Sequence, residues 1–200
     1  RSKDIHIETA SRIFEVKNQD VSYEMRRKAK EINFGLLYGM EAFGLAKNLN
    51  ISRKEATKLI DSYFLQFPSV KEYMDGIVIL AKEKGYTETV YGRRRYIPEL
   101  QSQNKQIYSV GQRMAMNAPI QGTAADIVKF AMIDIKQILL KKIKDAEIIL
   151  QVHDEVVVEC LKKDAVEVEK LVVHSMESVK GVSVPLYVNS TISLDLANNN

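Results

Sequence analysis

The hydrophobic pattern of this 200-residue chain changes near Asp145. Upstream of that point, apolar residues recur at helical spacing and few breakers interrupt them. Downstream, β-branched runs at 148–152 and 156–158 flank the polar residues 153–155, a pattern typical of an antiparallel hairpin with its turn at the polar centre. The change predicts an α+β fold, in which a mostly helical part precedes a β-hairpin with packed helices.

Caps and breakers set the expected boundaries of the elements. Ser52 and Glu55 have the spacing of a capping box, and Ser22 is the expected N-cap of a helix that stops at Gly39. Pro119 should break a helix because it lacks a backbone N–H. A soft domain boundary is expected at 105–120. The predicted helices cover 5–15, 22–38, 52–67, 69–84, 104–118, 121–143 and 164–180, a hairpin or irregular loop covers 86–98, and a last strand lies near 184–193.

Composition excludes several classes of protein. Apolar residues make up 46% of the chain and charged residues 28%, as in ordinary globular proteins rather than disordered or coiled-coil ones. No run of 18 apolar residues is present, so we expect no membrane span. A single cysteine excludes a disulfide scaffold and fits a reducing compartment.

Charge is distributed unevenly along the chain. Residues 1–120 carry 20 Lys and Arg against 14 Asp and Glu, a net charge of +6, whereas residues 121–200 carry 9 against 12, a net charge of −3. Every arginine lies at or before Arg113. The asymmetry favours an anionic partner for the first part and metal-binding carboxylates in the second, although so modest an asymmetry can also be without function.

Arg26, Lys30, Phe34 and Tyr38 are spaced by four residues and therefore share one face of a predicted helix. Two cations followed by two aromatic rings suit a ligand with a polyphosphate at one end and flat rings at the other. The alternative is an ordinary surface helix whose aromatic residues face the core. Gly35 inside the helix indicates a close approach of another group there.

A second polar row, Arg113, Asn117 and Gln121, has the same spacing. Donors of this kind can meet the N3 and O2 acceptors of the minor groove, so they can bind DNA without reading its sequence. A solvated helix face is the alternative. The turn at 91–95 contains three consecutive arginines and, beside the other sites, predicts contact with a phosphate backbone, with a solvated loop as the alternative.

His153, Asp154 and Glu155 interrupt the β-branched strand pair. Two adjacent carboxylates at the end of an apolar hairpin should repel one another and be costly to desolvate. Mg²⁺ would relieve that conflict because it prefers hard oxygen ligands. The sequence therefore predicts a metal site at Asp154 and Glu155, with a simple exposed turn as the alternative.

Together these patterns resemble the C-terminal part of a family A, polymerase I-type DNA polymerase, over nearly the whole chain. The resemblance implies a fingers subdomain at 1–110 and the C-terminal half of the palm at 111–200. Three motifs carry it, in family order and spacing: Arg26-x3-Lys30-x7-Tyr38-Gly39 of the fingers helix, Arg113-x3-Asn117 continuing through Gln121 to Ile127 along the minor groove, and Gln151 to Glu155 of the palm hairpin.

The resemblance also implies a reaction and its partners. A primer 3′-hydroxyl would attack the α-phosphate of a dNTP, in DNA replication or repair, with primer–template DNA and two Mg²⁺ ions bound. The implied contacts are His6, Arg26, Lys30, Phe34 and Tyr38 with the dNTP; Tyr38, Phe43, Arg113, Asn117, Gln121 and His153 with the DNA; Asp154 and Glu155 with the metal; and Lys30, His153, Asp154 and Glu155 as the catalytic group.

The chain departs from the family pattern at two points. The family's first metal-binding aspartate and its thumb lie upstream of Arg1, so the remainder of a polymerase chain is an expected partner and these residues alone should be inactive. The tail at 188–200 lacks the Gly and Trp common near the family's C-terminus. A single-subunit RNA polymerase and a non-catalytic nucleic-acid-binding module are the alternative functions. The expected location is the bacterial cytoplasm, at the nucleoid, or an organelle such as a plastid.

Overall fold

The computed structural model describes residues 4–195, which form helices and two small antiparallel hairpins, so the predicted α+β class is confirmed. The helices are α1 Ile5–Ile13, α2 Tyr23–Leu37, α3 Ala42–Leu49, α4 Arg53–Gln66, α5 Pro68–Lys84, α6 Lys105–Lys142 and α7 Ala165–Glu177. The strands pair as β1 Tyr86–Glu88 with β2 Arg94–Tyr96, and β3 Glu147–Val152 with β4 Glu155–Glu159.

The chain divides into two compact units. The first comprises the residues up to Glu88 together with Arg94–Ile120, and the second comprises Thr89–Arg93 and the residues from Gln121 onward. Helix α6 therefore contributes its first turns to one unit and the rest of its length to the other. The β1–β2 hairpin belongs to the first unit, whereas its connecting turn belongs to the second.

The capping residues predicted in the first unit begin and end helices as expected. Ser22 Oγ accepts the backbone N–H of Met25 at the start of α2, and the Ser52–Glu55 capping box is present in both directions. Gly85, with φ of 80°, ends α5 in the left-handed conformation that glycine adopts without steric cost.

Helices α1 to α4 bury one continuous apolar cluster. Ile32 and Leu45 are fully buried in it, and each such aliphatic side chain contributes about 1.5–3 kcal/mol relative to exposure. The buried members are Ile13, Ile32, Leu36, Leu45, Ala46, Leu49, Ala56 and Tyr63. A smaller cluster joins α5 to the segment after β2 and to the start of α6: Ala81, Ile97, Leu100 and Ala115.

The second unit packs the later turns of α6 against the β3–β4 hairpin and α7. Its buried cluster contains Ile135, Leu139, Ile143, Ala146 and Val168. Val152 pairs with Glu155, which leaves a two-residue turn of His153 and Asp154. The expected turn at 153–155 is therefore wrong by one residue, because Glu155 is already part of the β4 ladder.

Helix α6 is continuous through Pro119, so the predicted break there is wrong. Proline removes one N–H bond, but its φ near −65° is a helical value, and bonds on either side keep the helix intact. Despite its 38 residues, α6 is not apolar enough to cross a membrane, and neither is any other helix within residues 4–195.

The strand expected near 184–193 is also absent from the described residues, where the chain after α7 has no regular structure. Val184, Tyr187 and Ile192 are exposed. A β-branched run becomes a strand only when a neighbouring edge accepts its backbone hydrogen bonds, and no such ladder forms here. Two glutamates of α7 accept hydrogen bonds from this segment instead.

Candidate functional site

The predicted row lies on α2 and its C-cap Tyr38, and Lys30, Phe34 and Tyr38 of this row face solvent while Arg26 is half-buried. Phe34 is 45% exposed and Tyr38 is 43% exposed, whereas the neighbouring Ile32 and Leu36 are buried in the cluster of the first unit. The two exposed rings stack, with centroids 6.3 Å apart and planes 18° apart. This arrangement contradicts an ordinary amphipathic helix with its aromatic residues inside, and it leaves a flat apolar surface open to a ligand.

Helix α1 extends this surface with a third ring. The centroid of the His6 ring lies 5.5 Å from that of Phe34. Asp4 caps α1 by accepting the backbone N–H groups of His6 and Ile7, which fixes where the helix and its histidine begin. His6, Phe34 and Tyr38 thus form a continuous aromatic row across two helices.

The two cations of the row differ in their partners. Arg26 Nη2 lies 2.9 Å from Asp4 Oδ2 in an ion pair, whereas Lys30 is exposed and makes no ion pair within the described part of the chain. Burial alone would raise the pKa of Asp4, but hydrogen bonds from Arg26 and from two backbone N–H groups outweigh it and lower that pKa. An anion at this site would meet Lys30 freely and would share Arg26 with Asp4.

His6 is held by a residue of α2 that the sequence did not single out for function. Asn33 Nδ2 lies 3.0 Å from His6 Nδ1. Partial burial lowers the pKa of His6, and the positive charges of Arg26 and Lys30 act in the same direction, while Asp4 opposes them. Spacing could not pair Asp4 with Arg26 or Asn33 with His6, since each of these two contacts joins α1 to α2.

Two glycines are sites of close packing: Gly35 within α2, and Gly39 just after its C-cap Tyr38. A Cβ on Gly35 would lie 3.0 Å from the sulfur of Met40, so the close approach expected at Gly35 is present. Gly39 has φ of 71°, and a Cβ there would lie 2.5 Å from Cγ of Arg113. The end of α2 therefore lies directly against the stem of Arg113.

The second polar row occupies one face of α6. Arg113 is exposed and its Nη1 contacts Ser109 Oγ at 3.3 Å. Oδ1 of Asn117 is buried without a hydrogen-bond partner among the described residues. Gln121 is exposed and belongs to the second unit. On α3, Phe43 is 70% exposed, which leaves its ring available to a ligand.

The arginine turn is only partly available to a phosphate backbone. Arg93 Nε lies 2.7 Å from the buried carboxylate of Asp126, and Arg94 Nε lies 2.6 Å from Glu88. Two of the three arginines thus already pair within the protein, and contact of this turn with a phosphate backbone stays a prediction. Arg95 is exposed, with no ion pair in the described range.

The β3–β4 turn carries the candidate metal ligands. His153 has φ of 52°, a left-handed conformation, and its carbonyl oxygen accepts a hydrogen bond from Gln151 Nε2 at 2.6 Å. Asp154 and Glu155 are both exposed, so the predicted desolvation conflict between them is wrong. Exposed carboxylates still suit Mg²⁺, which keeps several waters and takes one or two protein carboxylates.

The described residues do not form a larger metal cluster. Among residues 4–195, no three His, Cys, Asp or Glu side chains lie close enough to hold one ion. Asp154 and Glu155 are therefore not joined by a third such side chain within the described range.

Comparison with known proteins gives consistent similarities. The sequence model described as DNA polymerase family A matches residues 1–197. The chain is 49% identical to DNA polymerase I of Geobacillus stearothermophilus over 189 residues and 50% identical to that of Bacillus subtilis (strain 168) over 186 residues, which are 94% and 93% of this chain. It spans only 22% and 21% of the length of those two relatives.

A solved structure has the same fold. The POL domain of Pol1 from M. smegmatis, in complex with DNA primer-template and dNTP, superposes with a TM-score of 0.88 at 44% sequence identity. The match covers 92% of this chain and 32% of that one.

Proposed function

The chain belongs to DNA polymerase family A, and from this we propose that it supplies the dNTP-binding surface and part of the catalytic surface of a template-directed DNA polymerase. The reaction is nucleotidyl transfer from a dNTP to a primer 3′-hydroxyl. In this proposal residues 1–110 act as fingers and residues 111–200 as the C-terminal half of the palm.

One observation carries the proposal: the exposed row on α2, with His6 beside it. Lys30 and Arg26 are one helical turn apart, as are Phe34 and Tyr38. Cations at one end of a row and stacked rings at the other match a nucleoside triphosphate, whose charge and flat ring lie at opposite ends. A solved relative has been captured with dNTP and primer-template DNA, which supports the same ligands here.

Each residue of the row has a distinct task in this proposal. Lys30 offers its ammonium group to the triphosphate, and Arg26 joins it by sharing its guanidinium with Asp4. Phe34 lies against the sugar, and Tyr38 lies next to the templating base. Phe43 lines the template path. The row binds and orients the dNTP, and orientation of the reacting groups is a large part of catalysis.

Asp154 and Glu155 are the proposed ligands of Mg²⁺, with His153 near the primer terminus. Their exposed oxygens fit a hard cation that also binds phosphate oxygens. When bound, a pair of such ions would favour ionisation of the attacking hydroxyl and neutralise charge on the leaving group. Completion of that site requires residues from the remainder of the polymerase chain, which is therefore a proposed partner.

Arg113, Asn117 and Gln121 are proposed to contact the minor groove of the primer–template duplex. The exposed side chains of Arg113 and Gln121 can reach acceptors that every base pair presents, so binding does not depend on sequence. A role in replication or repair, at a bacterial nucleoid or in an organelle such as a plastid, is part of the same proposal.

The test compares two lysines of α2 in the complete polymerase. Lys30→Ala should raise the dNTP concentration needed for half-maximal extension by about tenfold or more, because a charge-assisted contact to phosphate is lost. Lys28→Ala removes the same charge two residues away, on the opposite side of the helix, and should have little effect.

The same two variants are then measured for primer–template binding. Lys30→Ala should leave the DNA dissociation constant within about twofold. Equal losses from both lysines, or a loss confined to DNA binding, would contradict the assignment. Preference for NTPs over dNTPs would identify an RNA polymerase instead.

A further inference from the structure

Asn33 is a buried polar residue of α2 that lies, in sequence, between the exposed row residues Lys30 and Phe34. It is only 8% exposed and reaches across to α1. Its Nδ2 lies 3.0 Å from Thr9 Oγ1 and 3.0 Å from His6 Nδ1. A buried amide makes its hydrogen bonds within the protein, so these two contacts account for both of its N–H groups.

Thr9 determines which end of the Asn33 amide faces α1. The Thr9 hydroxyl, in a residue 1% exposed, lies 2.7 Å from the carbonyl oxygen of Ile5 and 3.3 Å from Asn33 Oδ1. A hydroxyl has a single proton, and the shorter contact to the preceding turn takes it. Thr9 Oγ1 must then accept from Asn33, which requires the NH₂ group of Asn33 to face α1.

The remaining N–H of Asn33 donates to His6 Nδ1. A ring nitrogen that accepts a hydrogen bond is unprotonated, so the neutral ring carries its proton on Nε2. We infer that Asn33 is a positioning residue that holds His6 as the Nε2–H tautomer, so that this N–H donates to a phosphate oxygen of the incoming dNTP. The inference rests on the proposed function, which provides the acceptor for that N–H.

The charges around His6 are consistent with a neutral donor. Asp4, on the same helix, favours the protonated ring, whereas burial and the cations Arg26 and Lys30 of α2 disfavour it and lower the pKa of His6. Helix α4 also packs against α1 but contributes no charge to this set among the described residues. A neutral N–H can bind phosphate without adding a third positive charge beside Arg26 and Lys30.

The tautomer can be measured in the 200-residue chain itself. Two-bond proton–nitrogen correlation spectra of the ¹⁵N-labelled protein near pH 7.5 distinguish protonated from unprotonated ring nitrogens. His6 should give an unprotonated Nδ1 and a protonated Nε2. His153 and His174 are exposed and serve as internal references. A protonated Nδ1 on His6 in the wild-type chain would overturn the inference.

Two substitutions test whether Thr9 and Asn33 set the tautomer. Asn33→Asp replaces the donor by an acceptor, so His6 should carry a proton on Nδ1 and its pKa should rise by about one unit or more. Thr9→Val removes the acceptor that orients the amide without replacing His6 or Asn33, and it should give a mixture of tautomers. A ring unchanged in both folded variants would contradict the role of Asn33.

A kinetic cycle in the complete polymerase tests the consequence for the dNTP. Asn33→Leu should raise KM for dNTP about tenfold with a smaller effect on kcat, because the Nε2–H is no longer held in place. In a His6→Ala background, Asn33→Leu should raise KM for dNTP little further, since the imidazole through which Asn33 acts is absent. Additive losses would overturn the inference. If His6→Ala itself leaves KM for dNTP unchanged, the proposed contact of His6 with the dNTP is wrong. The NMR spectra test the tautomer of His6 independently of that result.

Discussion

Phe34 is exposed although the residues on both sides of it in α2 are buried. Full burial of a phenylalanine contributes about 1.5–3 kcal/mol, and Phe34, at 45% exposed, forgoes part of that. Because its ring also stacks on Tyr38 and contacts the ring of His6, the exposed surface is continuous rather than isolated. Such a surface beside two cations is best explained by a ligand that covers it.

Phe34→Tyr should change how the complete polymerase discriminates against dideoxynucleotides. Phe34 lies one turn beyond Lys30, so it faces the sugar if Lys30 holds the phosphates. A dideoxynucleotide lacks the 3′-hydroxyl, and a phenyl ring offers no polar atom in its place. An added tyrosine hydroxyl should reduce the discrimination by roughly tenfold to a hundredfold.

The measurement is the ratio of incorporation efficiencies, dNTP over ddNTP, for both enzymes. Tyr38→Phe, which removes a hydroxyl from the next ring of the row, is the matched control and should leave the ratio nearly unchanged. An unaltered ratio in the Phe34 variant would mean that this ring does not face the sugar.

At the residue scale, spacing within one helix could be predicted and contacts between helices could not. Arg26, Lys30 and Phe34 share a face by helical geometry alone. The contacts of Arg26 with Asp4 and of Asn33 with His6 join residues 22 and 27 positions apart, and they exist because α1 packs on α2. No local pattern contains that information.

The turn between β1 and β2 is fastened to α6 within the second unit. Arg93 Nε donates to Asp126 Oδ1 at 2.7 Å, and its Nη2 donates to the carbonyl oxygen of Gly122 at 2.9 Å. The Thr89 and Val90 side of the turn is also held, because the backbone N–H of Val90 donates to Thr123 Oγ1. The turn is thus attached to two successive helical turns of α6.

Asp126→Asn should make the stability of the chain less sensitive to acid. Burial alone would raise the pKa of Asp126, but the nearby Thr89 hydroxyl and the hydrogen bond and positive charge of Arg93 lower it below the ordinary aspartate value of 3.8. A carboxylate with a lowered pKa contributes stability that is complete above about pH 5 and is lost as the pH falls below about 4. The variant should lose about 1–2 kcal/mol near pH 7 and much less near pH 3.

Urea unfolding at both pH values gives the free energies of unfolding for this comparison. Asp134→Asn changes an exposed carboxylate on the same helix and should leave the pH dependence as in the wild type. A constant difference between wild type and Asp126→Asn across this range would show that the ion pair does not carry the effect.

At the element scale, the sequence predicts helices whose ends carry their own caps. Ser22, Ser52 and Gly85 each act on the backbone within a few residues, so local chemistry was sufficient. The structure differs from the prediction at Pro119 and near 184–193, because continuation of a helix and formation of a strand depend on the surrounding structure. A strand in particular requires a partner edge.

At the scale of the whole molecule, the charge asymmetry matches the two proposed roles, nucleotide binding in the first part of the chain and metal binding in the second. The basic first part contains the cations of the nucleotide row, although several of its arginines pair with Asp4, Glu8, Glu24 and Glu88. The acidic second part contains the exposed Asp154 and Glu155. The net charge of each part follows from the sequence. The number of charged side chains that remain unpaired, and so available to a ligand, could be found only from the ion pairs in the structure.

The 200-residue chain by itself should not extend a primer. Chemistry by two metal ions about 4 Å apart needs several carboxylates around them, and within residues 4–195 no three metal-ligating side chains lie together. Purified chain supplied with primer–template, dNTPs and Mg²⁺ should give no product above a mock preparation, while the complete polymerase extends the same primer. If the chain alone does extend it, and Asp154→Asn abolishes that extension, then the chain holds a complete catalytic site and the proposed dependence on the remainder of the polymerase is wrong. Extension that survives Asp154→Asn would point to a contaminating polymerase, because loss of a metal ligand's charge should cost at least about a thousandfold in rate.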